Sequence, residues 1–228
     1  MSTVTLHKVC KTFGEGELAV HALRDIDLDI DKGDFVCLSG PSGSGKTTLL
    51  NMVGGLDRPS SGEITVANQR VDQMDKGELA EMRLRNIGFI FQAYNLIPVL
   101  TARENVEFVM QLQGVAPDLR RQKSSDILKE VGLEGLEDRR PSELSGGQQQ
   151  RVAVARALVS EPALILADEP TANLDSVTAE NLMDLLRHLN DDHDITFVIS
   201  THDKLVMSHA RRLLKMHDGQ IIDDIQQR

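Results

Sequence analysis

Residues 35–55, FVCLSGPSGSGKTTLLNMVGG, decide the fold. An apolar run ends at Gly40, the spacing G-x-x-x-x-G-K-T fills Gly40 to Thr47, and Leu49, Leu50 and Val53 then recur as they do on a helix. Strand, phosphate loop and helix in that order predict a nucleoside triphosphate site. Gly40, Gly43 and Gly45 free the backbone to turn successive N–H groups toward phosphate oxygens. Lys46 supplies a point charge for the β and γ phosphates, and the Thr47 hydroxyl is placed to ligate the Mg²⁺ that accompanies them. Pro41, Ser42, Ser44 and Thr48 complete the candidate triphosphate-binding stretch.

Composition bounds what surrounds this loop. At 228 residues, 40% hydrophobic and 26% charged, the chain is long enough to bury a full core and reads as a soluble globular domain, single or with an inserted lobe. No apolar run reaches the roughly 20 residues a membrane span needs, and MSTVTLHKVC has no secretion pattern, so a cytoplasmic location is expected. A net charge of -10 argues against a nucleic-acid surface. The two cysteines, Cys10 and Cys37, lack metal-ligand spacing and read as reduced thiols.

Before the loop, Thr3 to Phe13 is β-rich, and Asp25 to Asp31 reads D-I-D-L-D-I-D, a half-buried strand with Ile26, Leu28 and Ile30 inward. An antiparallel sheet near the nucleotide follows. Phe13, just ahead of the polar loop Gly14 to Glu17, is placed either to stack on adenine or to fill the core. GEITVA at residues 62–67 is a further strand, and a helix over 75–85 feeds the strand Ile87 to Phe91.

Gln92 ends that strand, where ligands of α/β sheets bind, and is placed to reach a metal or water beside the γ-phosphate. A mostly helical insertion is expected from there to about Leu158. Thr101-x-x-Glu104 opens one helix, Pro117 opens another that ends before Gly132, and the apolar Tyr94 to Leu100 is either docking surface or lobe core. LSGGQ at residues 144–148 has Ser145 as a natural N-cap, with Val152, Ala155, Leu158 and Val159 on one face beyond it. Gly146 and Gly147 beside a helix start spell a second phosphate-facing loop, which one nucleotide does not need.

The apolar run ALILA delivers Asp168, suited to the Mg²⁺ shell, and Glu169, able to take a proton from attacking water. Val177 to Leu189 reads as a helix burying Leu182, Leu185, Leu186 and Leu189. The strand Ile195 to Ser200 then presents His202 toward the γ-phosphate, and the Asp218-Gly219 turn closes a hairpin that leaves no stretch for a regulatory domain.

Taken in order, GPSGSGKT, Gln92, LSGGQ, LILADE, the aspartate of NLD (Asp175) and His202 resemble the nucleotide-binding subunit of ABC transporters over essentially the whole chain. GFIFQAYNLIPVLTARENVE and RPSELSGGQQQRVAVARAL are most similar to the group of lipoprotein-release, macrolide-export and division ATPases. Phe13 stands where the family usually has tyrosine, and Ala172 where this group usually has glycine.

The resemblance implies a P-loop α/β core over residues 1–92 and 159–228, with an antiparallel β subdomain and a helical signature subdomain over 93–158. It implies a homodimer with two ATP molecules sandwiched head to tail. The phosphate loop of one chain would face Ser145, Gly146, Gly147 and Gln148 of the other, with Asp175 across the same interface. It also implies a permease with a large extracytoplasmic domain, docking near Tyr94 to Leu100 and holding the chain on the cytoplasmic face of the inner membrane. Two further classes share the cassette: a division-type coupler that signals without transporting, and soluble ABC ATPases. The latter carry a second cassette or a long coiled coil, neither of which is found in this sequence.

Overall fold

In the computed structural model, which describes residues 2–227 and their side chains except that of Glu17, two long strands come first, β1 (Ser2–Phe13) and β2 (Val20–Asp31). Their antiparallel register sets Val4 opposite Ile30 and Leu6 opposite Leu28. The D-I-D-L-D-I-D alternation therefore buries Ile26, Leu28 and Ile30 and leaves the aspartates on the outer face. The polar stretch after Phe13 holds a short 3-10 turn, Gly16–Leu18.

β3 (Phe35–Ser39) runs through the phosphate loop into α1 (Lys46–Val53). β4 (Ser61–Val66) returns to pair with β1, and the short β5 (Gln69–Arg70) extends it, giving a four-stranded antiparallel sheet in the order β2-β1-β4-β5. α2 (Lys76–Asn86) starts on a reciprocal cap between Asp75 and Glu78 and leads into β6 (Ile87–Phe91). α3 (Ala102–Leu112) starts on the predicted Thr101–Glu104 cap, and α4 (Pro117–Glu130) on Pro117. Then come α5 (Gly146–Leu158), β7 (Leu164–Asp168), α6 (Ser176–His193), β8 (Thr196–Thr201), α7 (Lys204–His209) and the hairpin of β9 (Arg212–His217) and β10 (Gln220–Gln226).

The second sheet has the order β10-β9-β3-β8-β7-β6, parallel throughout except for β10 at its edge. The predicted hairpin thus forms and also enlarges this sheet, because β9 pairs with β3. Both faces are covered, which is why these strands read as continuous apolar runs. Phe35, Ile165, Phe197 and Ile199 pack with Val106, Leu128, Val152 and Leu186 of the helices. The alternate residues Val36, Leu38, Leu164, Leu166 and Val198 pack with α1 and with the inner face of the antiparallel sheet.

The helical insertion has no separate core, since its apolar residues belong to the same cluster as one face of the parallel sheet. α5 is the centre of that cluster. Val152, Ala153, Val154, Ala155, Ala157 and Leu158 are all buried, so the helix is enclosed on more than the single face its spacing predicts. Gly88 lets β6 approach it, because a Cβ there would lie 2.4 Å from the Ala157 carbonyl oxygen.

Candidate active site

Register assembles the site. Ser39 lies beside Thr201, Asp168 beside Ser200 and Phe91 beside Asp168, so four parallel strands end in line. The residues that follow them, Gly40, His202, Glu169 and Gln92, are thereby gathered at one edge although they are far apart in sequence. A cleft of about 820 Å³ opens there, lined by residues 41–48 together with Gln92, Glu169, Ala172 and His202.

The phosphate loop is shaped by what presses on it from below. Gly40, at φ +154, would place a Cβ 2.2 Å from the Met216 carbonyl oxygen; Gly45, at φ +101, would place one 2.7 Å from that of Ala22. Lys46 is almost buried, and its ammonium donates to the carbonyls of Gly40 at 2.7 Å and Pro41 at 3.1 Å. Ser44 Oγ is buried with no hydrogen-bond partner among the described residues. An open glycine-shaped cradle, a lysine and a polar atom in need of a partner fit an anionic phosphate chain.

At the acidic end, Thr47 Oγ1 donates toward the Asp168 carboxylate, 3.3 and 3.2 Å from its two oxygens, and Ser200 Oγ donates to the same group. Glu169 has φ +47, which aims its side chain away from the strand direction. Its Oε2 accepts from Thr201 Oγ1 at 3.0 Å, and its Oε1 lies 2.7 Å from His202 Nδ1. An ionised carboxylate only accepts, so Nδ1 carries the proton, and the neutral ring offers an acceptor at Nε2. Donation from Nε2 to a phosphate therefore requires the imidazolium, a condition the sequence reading did not contain. Beneath the site, burial first and the Glu169 charge second push the Cys37 thiol up to about 12. That leaves it protonated, in keeping with a reduced, inert cysteine.

The second glycine pair is not a loop. Gly146 and Gly147 form the first turn of α5, where added Cβ atoms would lie 2.9 Å from Tyr94 Oη and 2.5 Å from Thr178 Cγ2. Close packing therefore requires them, in addition to any ligand. Ser145 Oγ accepts from the Gln148 N–H at 3.3 Å, and Gln148 Oε1 accepts from the Ser145 N–H at 2.9 Å. Asp175 caps α6 on Thr178, whose hydroxyl first and N–H second hold its carboxyl below the usual range. None of Ser145, Gly146, Gly147, Gln148 or Asp175 lines the cleft.

Phe13 is 45% exposed, which removes the core reading, and the Lys11 ammonium sits 4.8 Å from its ring centre. It does not line the cleft, but it pairs with Val20, which does. Sequence reasoning missed Val20, His21, Arg24 and Asp218, which line the cleft from β2 and the C-terminal hairpin. Their one signal was the Asp218-Gly219 turn. Its Gly219 N–H donates to the Ser44 carbonyl at 3.1 Å, and the Gly219 carbonyl accepts from the Arg24 N–H at 2.9 Å. Asn173 was also missed; its amide donates to the Gln92 carbonyl at 2.9 Å.

The stretch Tyr94 to Leu100 divides between its two readings. Leu96 packs against the main cluster, whereas Val99 is 74% exposed. Tyr94 and Asn95 both have positive φ, and the Arg156 guanidinium donates to their carbonyls at 2.9 and 2.5 Å. Beside them lies an apolar groove of about 610 Å³, lined by Leu56, Phe89, Phe91, Val109, Leu112 and Arg156 among others.

The family model described as ABC transporter matches residues 23–172. The macrolide export ATP-binding/permease protein MacB of Mannheimia succiniciproducens is 44% identical over 226 residues, 99% of this chain but 35% of that protein. The chain thus spans about a third of that relative's length. The ABC transporter ATP-binding protein MJ0796 of Methanocaldococcus jannaschii is 45% identical over 222 residues, 96% of this chain and 94% of that one. A dimeric structure of the MJ0796 ATP-binding cassette in a post-hydrolysis state, bound to ADP and Pi, aligns with a TM-score of 0.90 at 43% identity, covering 99% of each chain.

Proposed function

The chain belongs to the ABC transporter family as an ATP-binding cassette that hydrolyses ATP, and from that premise we propose that two copies close head to tail over two ATP molecules to drive a separate membrane permease. The observation behind this reading is that the cleft holds one phosphate-facing element and excludes the other. Residues 41–48 line it, and Ser145, Gly146 and Gly147 do not. The N-terminus of α5 is then free to meet the triphosphate held by a second copy. The MJ0796 cassette, dimeric and bound to ADP and Pi, supports a nucleotide-bound dimer.

In this reading the backbone of residues 40–48 and Lys46 bind the triphosphate, and Phe13 stacks on the base. Thr47, Asp168 and Gln92 would hold Mg²⁺. The hard oxygens of Thr47 and Asp168, 3.2 and 3.3 Å apart, suit that ion. When bound, Mg²⁺ neutralises charge building on the β and γ phosphates. Glu169 accepts the proton of the attacking water, and His202 supports the γ-phosphate. Ser145, Gly146, Gly147, Gln148 and Asp175 act on the partner's nucleotide. Segment 93–158 moves as the lobe that carries them, against the core of residues 1–92 and 159–228.

The groove beside Tyr94 to Leu100 is the docking place for the permease. Arg83 and Arg156 line it, and neither has a carboxylate partner among the described residues, so an apolar segment bearing an acidic residue suits it. Similarity to the macrolide export ATP-binding/permease protein MacB supports a permease of the macrolide-export kind, and the family resemblance of the sequence extends this to the lipoprotein-release kind, with a large extracytoplasmic domain. No described helix is long and apolar enough to cross a membrane, so the permease would hold the chain at the cytoplasmic face of the inner membrane.

A mixed dimer tests the shared site. On a Glu169→Gln background, Lys46→Ala and Ser145→Arg homodimers should each trap no ATP. Their purified heterodimer should trap one ATP, at the interface that joins Lys46 of one chain to Ser145 of the other. A heterodimer with no trapped nucleotide would place both loops on the same chain's ATP and sink the reading.

A further inference from the structure

We propose that Gln150 is a positioning residue for Glu169, a buried hydrogen-bonded strut that makes the aim of the base depend on the seating of the signature helix. The inference rests on the reading above, in which Glu169 is the base and the N-terminus of α5 engages the partner's nucleotide. Gln150 lies two residues beyond LSGGQ and is 0% exposed. Its Nε2 donates to the Pro170 carbonyl at 2.7 Å, while its Oε1 is buried with no partner among the described residues. A polar side chain fully enclosed for a single hydrogen bond is kept for that bond. Simple filling of the space is served as well by methionine, which has no unmatched acceptor.

The carbonyl it holds belongs to the residue directly after the base. Glu169 has φ +47 and precedes a proline, a pairing that the local backbone disfavours on both counts. Such a conformation persists only where its surroundings over-determine it. Thr201 and His202 hold the Glu169 carboxylate, and on the backbone the constraints are its N–H to the Ser200 carbonyl at 3.0 Å, its carbonyl from the Ala172 N–H at 3.2 Å, and Gln150 on Pro170. The first two of these backbone constraints come from β8 and from the turn that follows the base. The third comes from α5, so only it reports where that helix sits.

The contact is continuous with the signature turn. Gly147 abuts Thr178, and Gln150, three residues on, reaches Pro170, so one face of the start of α5 rides on residues 170–178. Movement of α5 onto the partner's phosphates shifts the strut and with it the backbone that aims Glu169. Each chain's base is then set only when its own signature turn is seated on the opposite ATP, which couples the two sites.

Gln150→Met keeps the length and removes the donor. In the purified full chain with ATP and Mg²⁺, kcat should fall about tenfold or more while ATP affinity stays within about twofold. The Hill coefficient for ATP should fall toward one, and the melting temperature should stay within about 4 °C. Gln150→Glu supplies an O–H donor only when neutral, and burial raises its pKa. Its kcat relative to wild type should therefore climb as pH falls from about 8 to 6. Turnover of Gln150→Met within about twofold of wild type, or a loss matched by equal losses in ATP affinity and melting temperature, overturns the strut. Should that variant not fold, the Gln150→Glu profile decides, and a flat ratio overturns it. Glu169→Gln run alongside separates the two levels: if it still hydrolyses ATP, the base assignment is wrong, whereas a dead Glu169→Gln beside a normal Gln150→Met removes the strut alone.

Discussion

Replacing Glu169 by glutamine removes the proposed base while leaving the geometry that holds it. The Thr201 hydroxyl now donates to Glu169 Oε2 at 3.0 Å and His202 Nδ1 lies 2.7 Å from Oε1. A glutamine amide has the same shape; its oxygen accepts from Thr201, and its N–H donates to the other neutral tautomer of His202. Both contacts survive, so stability should change by no more than about 1 kcal/mol, a shift of at most about 4 °C in melting temperature for a chain this size. Chemistry should not survive. A positioned base contributes about 10² to 10⁴ in rate, which is about 2.7 to 5.5 kcal/mol in the barrier. Phosphate release should fall by that factor with ATP binding retained, and size-exclusion chromatography in ATP and Mg²⁺ should show a lasting dimer. Turnover above about a tenth of wild type would refute the assignment of Glu169, since loss of a general base costs at least about a hundredfold.

Two further outcomes follow from the groove and the buried thiol. Leu112, 59% exposed on the groove wall, should tolerate Leu112→Asp, with basal ATPase within about twofold of wild type but loss of co-purification with the proposed permease. Leu96→Asp should instead lower the melting temperature, because Leu96 packs on the main cluster; unaltered melting would return Leu96 to the docking surface. Cys37, protonated to about pH 12 when folded against 9.0 for an ordinary thiol, should resist alkylation in the native chain and react once guanidinium unfolds it. The unfolded chain loses that proton first, so Cys37 makes stability fall as pH rises between those two values. Cys37→Ala should flatten that alkaline limb in urea titrations, and an unchanged limb would show that other groups set it.

The sequence by itself determined what is local or periodic. The glycine spacing at 40, 43 and 45, the alternation at 25–31, the Thr101 and Ser145 caps and the apolar strands each report a backbone preference carried by a few adjacent residues. These were enough to predict the antiparallel sheet, the apolar strands that form the parallel one, the helices between β6 and β7 and the candidate residues at the strand ends. Tertiary structure alone decided which of these meet. Parallel register brings Gly40, Gln92, Glu169 and His202 to one edge, and a register carries no signature in any one strand. Packing also gave Gly146 and Gly147 a second reason to be glycine, through Tyr94 and Thr178, which lie far from them in the chain. Arg24 and Asp218 enter the cleft only because a hairpin turn binds the Ser44 carbonyl, and Gln150 reaches Pro170 only because α5 crosses beneath it. A hydrogen bond between side chain and distant backbone leaves no periodicity to read, since its energy depends on a distance that exists only after the chain has folded.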